Sequence, residues 1–526
     1  MTSFQTLVRR YPRMRVLAIL AILFPLISVA FNAQNTTGIL SLDSMRAWLT
    51  YLSSDDVEGR GTFSEGLGLA AAYIADQLKE GKVSPGGDHG SYFQRVSVQG
   101  VRSSGHSTLT VEVNGQTRTF RDGEGVTFPK FAGSNRTFSI NQAEFLGYNP
   151  GTNKASDFKG KVAIWLENPD PITLLAAEEG GIGAIIIPDS GQDRQPSSTG
   201  VDFVTSQRLD LPRMPKILAG NEFLNFLFSA SSTKYDEIRS KSDRRENLKT
   251  FALKDVRLTF NIANDYQVIS TQFTRNVVGI VEGSDPQLKN TFVAFGAHYD
   301  HMGYIQGPLY ASTDRIYNGA DDDGSGTTAL IGLARAFAQG PKPRRSLVFV
   351  WHAGEELGLY GSHFFVDHPP AAIGDINNIV TQLNIDMIGR NRDNKGSESD
   401  TIYAVGADRI STDLHNILVE SNAGISRPLS LNFEMNDPSD GERIYYRSDH
   451  FSYASKGIPI IFFFSGLHPD YHELTDTVDK IDFTKMQRVG QLVYEIGNRI
   501  ANADRAPARD FKGPRAGRGT TGKLAN

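Results

Sequence analysis

Five apolar runs, at 277–281, 291–297, 346–351, 379–385 and 459–464, alternate with stretches whose apolar residues recur at helical spacing. A strand that is hydrophobic on both faces must be covered on both, so the pattern predicts an α/β fold with a mostly parallel central sheet flanked by helices. The helices are expected at 325–339, 356–366, 412–421 and 482–502. In sheets of this kind ligands gather in the crevice beyond the carboxyl ends of the strands. Chemistry is therefore expected in the residues that follow each run.

Upstream the texture changes more than once. Ser41 and Asp43 open an expected helix through Leu52, and 64–80 carries Leu67, Ala70, Ala71, Ile74, Ala75 and Leu78 on one helical face. Around 93–98 and 109–113 the residues alternate, with Asn114-Gly115 placed where a hairpin needs positive backbone angles. From about 128 to 250, short strands at 161–165 and 184–187 flank a helix rich in alanine and glutamate, and the charged stretch 234–249 reads as a solvated helix. The expected organisation is a signal at 1–30, a larger domain at 34–125 and 251–505, a smaller insert at 126–250, and a disordered basic tail at 506–526.

The N-terminus carries Arg9, Arg10, Arg13 and Arg15 before an apolar run, 16–31, that ends in small residues. That is the layout of a secretory signal with cleavage near Ala30, the alternative being an uncleaved anchor. The run is shorter than the roughly 20 residues a spanning helix needs, and Pro25 interrupts it, so no stable membrane insertion is expected once it is cleaved. A secreted or periplasmic protein follows. The chain has no cysteine, so its stability must come from core size and bound metal rather than disulfides. Its net charge of -5 is spread along the chain and offers no basic face to nucleic acid.

Acidic and histidine-bearing clusters follow the strands. After 291–297 comes His298-Tyr299-Asp300, in which a carboxylate two residues on can reach the same side of an extended chain and orient the imidazole. Asp321-Asp322-Asp323 precedes an apolar helix. Capping accounts for one of these carboxylates, not three, and a carboxylate with two oxygens can bridge two cations. Glu355 and Glu356 follow 346–351; neighbouring glutamates allow one to hold a metal while the other takes a proton, although an exposed helix start would also favour them. Asp386 closes the apolar strand 379–385, where a lone charge is costly unless it is paired or coordinated. The stretch after 459–464 offers both His468 and His472, and spacing does not choose between them.

Taken together, His298-x-Asp300, Gly319-Ala320-Asp321-Asp322-Asp323-Gly324-Ser325-Gly326, Gly354-Glu355-Glu356-Leu357-Gly358, Asn384-x-Asp386-Met387 and Tyr471-His472 resemble the M28 family of zinc exopeptidases. The resemblance covers roughly 271–501, with 40–110 similar to the family's N-terminal part. The segments 158–164, 180–184 and 215–218 resemble a protease-associated (PA) domain, a non-catalytic insert of some members.

The resemblance implies a zinc exopeptidase fold and two Zn2+ ions per chain. His298, Asp386 and Asp322 would hold one ion, and Glu356, His472 and Asp322 the other. It further implies Glu355 as general base, Asp300 orienting His298, and Tyr471 polarising the substrate carbonyl. His450, within 446–450, matches a stretch that lines the pocket in the family and is a candidate for touching substrate or for a purely structural bond. The expected substrates are peptides or small proteins, shortened from the amino end. The alternatives are a carboxypeptidase using Arg390, Arg443 or Arg447 as a carboxylate clamp, a one-zinc glutaminyl-cyclase-like acyltransferase, and a non-catalytic binding protein. Oligomeric state and side-chain preference are not written in these patterns.

Overall fold

The computed structural model describes residues 40–129, 133–148, 159–167, 169, 181–189, 201–205, 212–305, 314–437, 440 and 442–511. The expected signal at 1–30 and the alanine- and glutamate-rich helix of the insert lie outside the described residues. Among the described residues no helix is long and apolar enough to cross a membrane. The chain divides into two compact units, 1–96 with 274–526, and 97–273.

The first unit is built on strands β1 (Asn264–Val281, from Thr274 onward), β2 (Phe292–His298), β3 (Ser346–His352), β4 (Ile379–Ile385), β5 (Thr401–Val405), β6 (Ser430–Asn432) and β7 (Ile460–Phe464), in the order β1-β3-β2-β4-β7-β5-β6. The central pairs β2–β3, β2–β4 and β4–β7 are parallel, as the apolar runs predict. β1 runs antiparallel to β3, and β5 antiparallel to β7. Every residue of β2, β3, β4 and β7 is buried.

Their side chains alternate between two layers. Val293, Phe295, Leu347 and Phe349 pack with helices α1 (Leu42–Leu52), α2 (Glu65–Glu80), α3 (Gly324–Gln339) and α6 (Phe483–Asn502), whereas Phe292, Ala294, Val348 and Val350 pack with α4 (Tyr360–Asp367). Helix α5 (Thr412–Gly424) adds Leu414 and Leu418 to the first layer. Coverage on both faces is what allows a strand such as Phe292–His298 to carry no polar alternation.

Local signals set the helix starts. Ser41, Ser64 and Asp323 each accept a backbone N–H from the first turn of their helix. The helix expected from 356 begins instead at Tyr360, because Gly358 and Leu359 have positive φ, 111° and 60°. That break leaves Glu355 and Glu356 on the turn after β3 rather than on a helix. The tail expected from 506 also starts later: Ala508 N–H donates to Asp413, Phe511 N–H to the Ile410 carbonyl and Arg509 to the Ile379 carbonyl, which ties 506–511 into the fold.

The second unit has its own mixed sheet and its own core. Parallel strands Ala143–Gly147, Val162–Trp165, Ala184–Pro188 and Lys216–Ala219 continue through Gly125–Thr127 into the antiparallel strands Gln116–Asp122, Thr108–Val113 and Val256–Ile262. Asn114 and Gly115, with φ of 48° and 77°, make the expected hairpin turn. Helices Asn221–Leu227 and Tyr235–Asp243 bury Phe223, Leu224, Tyr235 and Ile238 in that core. The compact unit is wider than the expected 126–250, since the hairpin 108–122 joins this sheet through Gly125–Thr127 on one side and pairs with Val256–Ile262 on the other, and no composition change marks those strands.

Candidate active site

The chemistry-bearing residues follow the carboxyl ends of β2, β3, β4 and β7, the position that an open parallel sheet favours for ligands. His298 ends β2, Glu355 and Glu356 follow β3, Asp386 follows β4, and Tyr471 and His472 lie on the loop after β7. Asp322 sits on the turn that leads into α3. The structure brings His298, Asp322, Glu356, Asp386 and His472 together in one cleft, with Glu355 and Tyr471 also on its wall.

The two oxygens of Asp322 face opposite ways. Oδ1 lies 3.2 Å from His298 Nε2, which is also 3.6 Å from Asp386 Oδ2. Oδ2 lies 3.2 Å from His472 Nε2, which is 3.1 Å from Glu356 Oε2. Ligands about 2.0–2.2 Å from a tetrahedral zinc stand roughly 3.3 Å from one another, so each side of Asp322 has the spacing of a metal position. The donors also lack other uses: Asp322 Oδ2, Asp386 Oδ1 and His472 Nε2 are buried without a hydrogen bond. Imidazole mixed with carboxylate suits zinc better than magnesium. The residues therefore fit two zinc ions.

The neighbours of these donors explain how they are held. His298 Nδ1 lies 3.1 Å from the Asp300 carbonyl and 3.8 Å from its carboxylate, so the backbone oxygen sets the ring and turns Nε2 to the cleft. The Asp300 carboxylate instead accepts the Glu355 N–H and the Thr62 hydroxyl, fixing the turn that carries the two glutamates. The Ser448 hydroxyl donates to Asp386 Oδ2 at 2.8 Å and accepts from Asn384 at 3.0 Å.

The aspartate run divides its work. Asp321 accepts the Gly389 N–H, Asp323 accepts those of Gly326 and Met387, and Asp476 accepts those of Asp321 and Asp322. Only the middle carboxylate is left for the cleft. His468 stands behind it, 3.2 Å from Asp321 Oδ2, which resolves the choice between the two histidines geometrically: His472 reaches Asp322 and Glu356.

Electrostatics follow from burial and crowding. Burial favours the neutral form of Asp322, yet the imidazoles of His298 and His472 hold it well below the ordinary carboxylate range. Burial, with the charges of Glu356, Asp449 and Asp386, holds Glu355 well above that range against the pull of His298. His472 is raised to about 10, its contacts with Asp322 and Glu356 outweighing burial.

His450 does not reach the cleft. It is fully buried, Nε2 is 2.7 Å from the Tyr445 carbonyl, its ring stacks on Phe462, and burial pushes it down to about 3. Arg390 is engaged by Asn394 and Asp470. Arg447 lines the cleft, within 3.1 Å of Glu442 and 3.3 Å of the Tyr471 hydroxyl.

Three contributors carry no strand-end signal. His301 and Asp476 lie beside quoted motifs, and Arg60, in a turn far upstream, donates to the carbonyls of Leu52, Tyr299, Asn318, Gly319 and Asp322. Arg60→Ala should lower the stability of the folded protein by at least about 3 kcal/mol in denaturant unfolding, since several buried carbonyls lose their donor at roughly 1–3 kcal/mol each.

Residues 276–497 match the profile of peptidase family M28. Leucine aminopeptidase 1 of Ajellomyces capsulatus (strain H88) is 25% identical over 328 residues, 59% of this chain and 78% of that protein. Aminopeptidase YwaD of Bacillus subtilis (strain 168) is 26% identical over 234 residues, 43% of this chain and 45% of its own. Leupeptin-inactivating enzyme 1 of Streptomyces exfoliatus is 32% identical over 228 residues, 43% of either chain. The chain thus spans less than half the length of the latter two. This match falls on the cleft at the strand ends: residues 276–497 match peptidase family M28, and over that segment the chain is similar to aminopeptidases.

Proposed function

We propose that the protein is an exported di-zinc exopeptidase that releases amino-terminal residues from peptides. The observation that carries this reading is the pair of donor sets sharing the Asp322 carboxylate, 3.2 Å on either side, beside the buried Glu355. His298, Asp322 and Asp386 would hold one ion, and Asp322, Glu356 and His472 the other. Bound there, the ions lower the pKa of water and polarise a carbonyl.

The chain's own residues supply the rest. Glu355, kept proton-hungry by burial and by neighbouring carboxylates, takes the proton of the attacking water and hands it to the leaving amine. The Tyr471 hydroxyl, which accepts from Arg447, keeps its own hydrogen for the developing oxyanion of the substrate. Asp300 holds the backbone of Glu355 in register for both transfers. Met387, Phe462, Phe464 and Leu467 add apolar lining to the same cleft.

The insert at 126–250 is read as a PA-type module; it lies within the unit 97–273, which has its own core. Arg447 in the cleft wall is the observation that favours the carboxypeptidase reading. A peptide mixture with free and acetylated amino termini, followed by mass spectrometry, separates the two. Stepwise loss from the amino end, confined to free amines, is expected; shortening of acetylated peptides from the carboxyl end would reverse the direction.

A further inference from the structure

We propose that His301 is a positioning residue that fixes the Glu356 carboxylate for the second metal position; this rests on the di-zinc reading above. His301 lies three residues after His298, where β2 has ended and strand alternation no longer dictates side-chain direction. Its ring is buried and its Nδ1 stands 2.9 Å from Glu356 Oε1, while Glu356 Oε2 is the oxygen 3.1 Å from His472 Nε2. The two oxygens are thus divided, one held by His301 and the other presented with His472 and Asp322. Glu356 sits on a turn between Gly354 and Gly358, both at positive φ, and His301 and His472 are the side chains that meet its carboxylate.

The backbone that carries the ring is fixed. The His301 backbone N–H donates to the Arg60 carbonyl at 3.0 Å. Gly319 leaves room for the ring, because a Cβ there would lie 2.5 Å from His301 Cδ2. The opposite nitrogen, Nε2, is buried without a hydrogen-bond partner. With the hydrogen on Nδ1, that atom is a bare lone pair. Were Nδ1 a metal ligand instead, Nε2 would carry a buried N–H with no acceptor, the costlier arrangement. Nδ1 is also 3.8 Å from Asp322 Oδ2, against 3.2 Å for His472. His301 therefore acts on the ligand and not on the ion.

Zinc affinity and stoichiometry, measured by chelator competition and elemental analysis on the full chain, test this without relying on turnover. His301→Ala is expected to bind two zinc ions at saturation, with one of the two about 10–100-fold weaker. His301→Asn, whose side-chain N–H can occupy the place of Nδ1–H, is expected to recover most of that loss. His301→Phe keeps ring volume without the donor and gives the same comparison if the alanine variant does not fold. Unchanged affinities in the alanine or phenylalanine variant would overturn the proposal. So would a variant that takes up a single ion at saturating zinc and is not rescued by asparagine, since that would make His301 a ligand. Wild-type protein binding fewer than two ions would instead sink the di-zinc reading on which this rests.

Discussion

Glu355→Ala is expected to keep both zinc ions and to reduce kcat by about 10^2–10^4-fold or more, the range that a positioned general acid–base group contributes. The separation of the two effects follows from geometry. Glu355 lines the cleft, but the donor sets on either side of Asp322 are complete without it. Its neighbour Glu356, one residue on, is the one turned to His472 and His301. Steady-state kinetics with zinc analysis on the same preparation checks both halves. An alanine variant with near-normal turnover would mean that another group moves the proton.

Asp322→Asn should have the opposite signature, with zinc content falling towards zero and activity falling with it. An amide presents one acceptor oxygen and an NH2 group, so it cannot offer an oxygen to each side, and it removes the negative charge both ions would share. The flanking residues do not substitute. Asp321 gives Oδ1 to the Gly389 N–H and turns Oδ2 to His468, and Asp323 gives Oδ1 to the N–H groups of Met387 and Gly326. Elemental analysis after purification in zinc-containing buffer reads the outcome; retention of two ions per chain would show that the shared carboxylate is not needed to hold them.

The fold of the first unit was legible because its strands are buried on both faces and therefore uninterrupted by polar residues, and because Ser41, Ser64 and Asp323 cap their helices in the ordinary way. The donors were legible for the same reason: a charged residue directly after such a run, like Asp386, has few explanations apart from coordination or pairing. What escaped has physical causes. β1 and β5 run antiparallel although each is an apolar run like its parallel neighbours, since strand direction depends on the connections and not on composition. The helix start after β3 shifted by four residues because Gly358 and Leu359 adopt positive φ, a break that the apolar periodicity around 356–366 does not reveal.

 Gly358 and Leu359 read as helix formers or breakers only in context, and here they break. The stretch 446–450 left His450 open between touching substrate and a purely structural bond, and the ring points into the core against Phe462 and Tyr445. Arg60 and Asp476 hold the aspartate turn from 262 residues upstream and 154 residues downstream of Asp322, a distance over which no local pattern reports.

The central claim is that two cations share one carboxylate. Crystals of the zinc-loaded protein, measured on both sides of the zinc absorption edge, test it most directly. The account predicts two anomalous peaks, one on each side of the Asp322 carboxylate and about 3.5–4 Å apart, the first against His298 and Asp386 and the second against Glu356 and His472. A single peak, or none at Asp322, would contradict it.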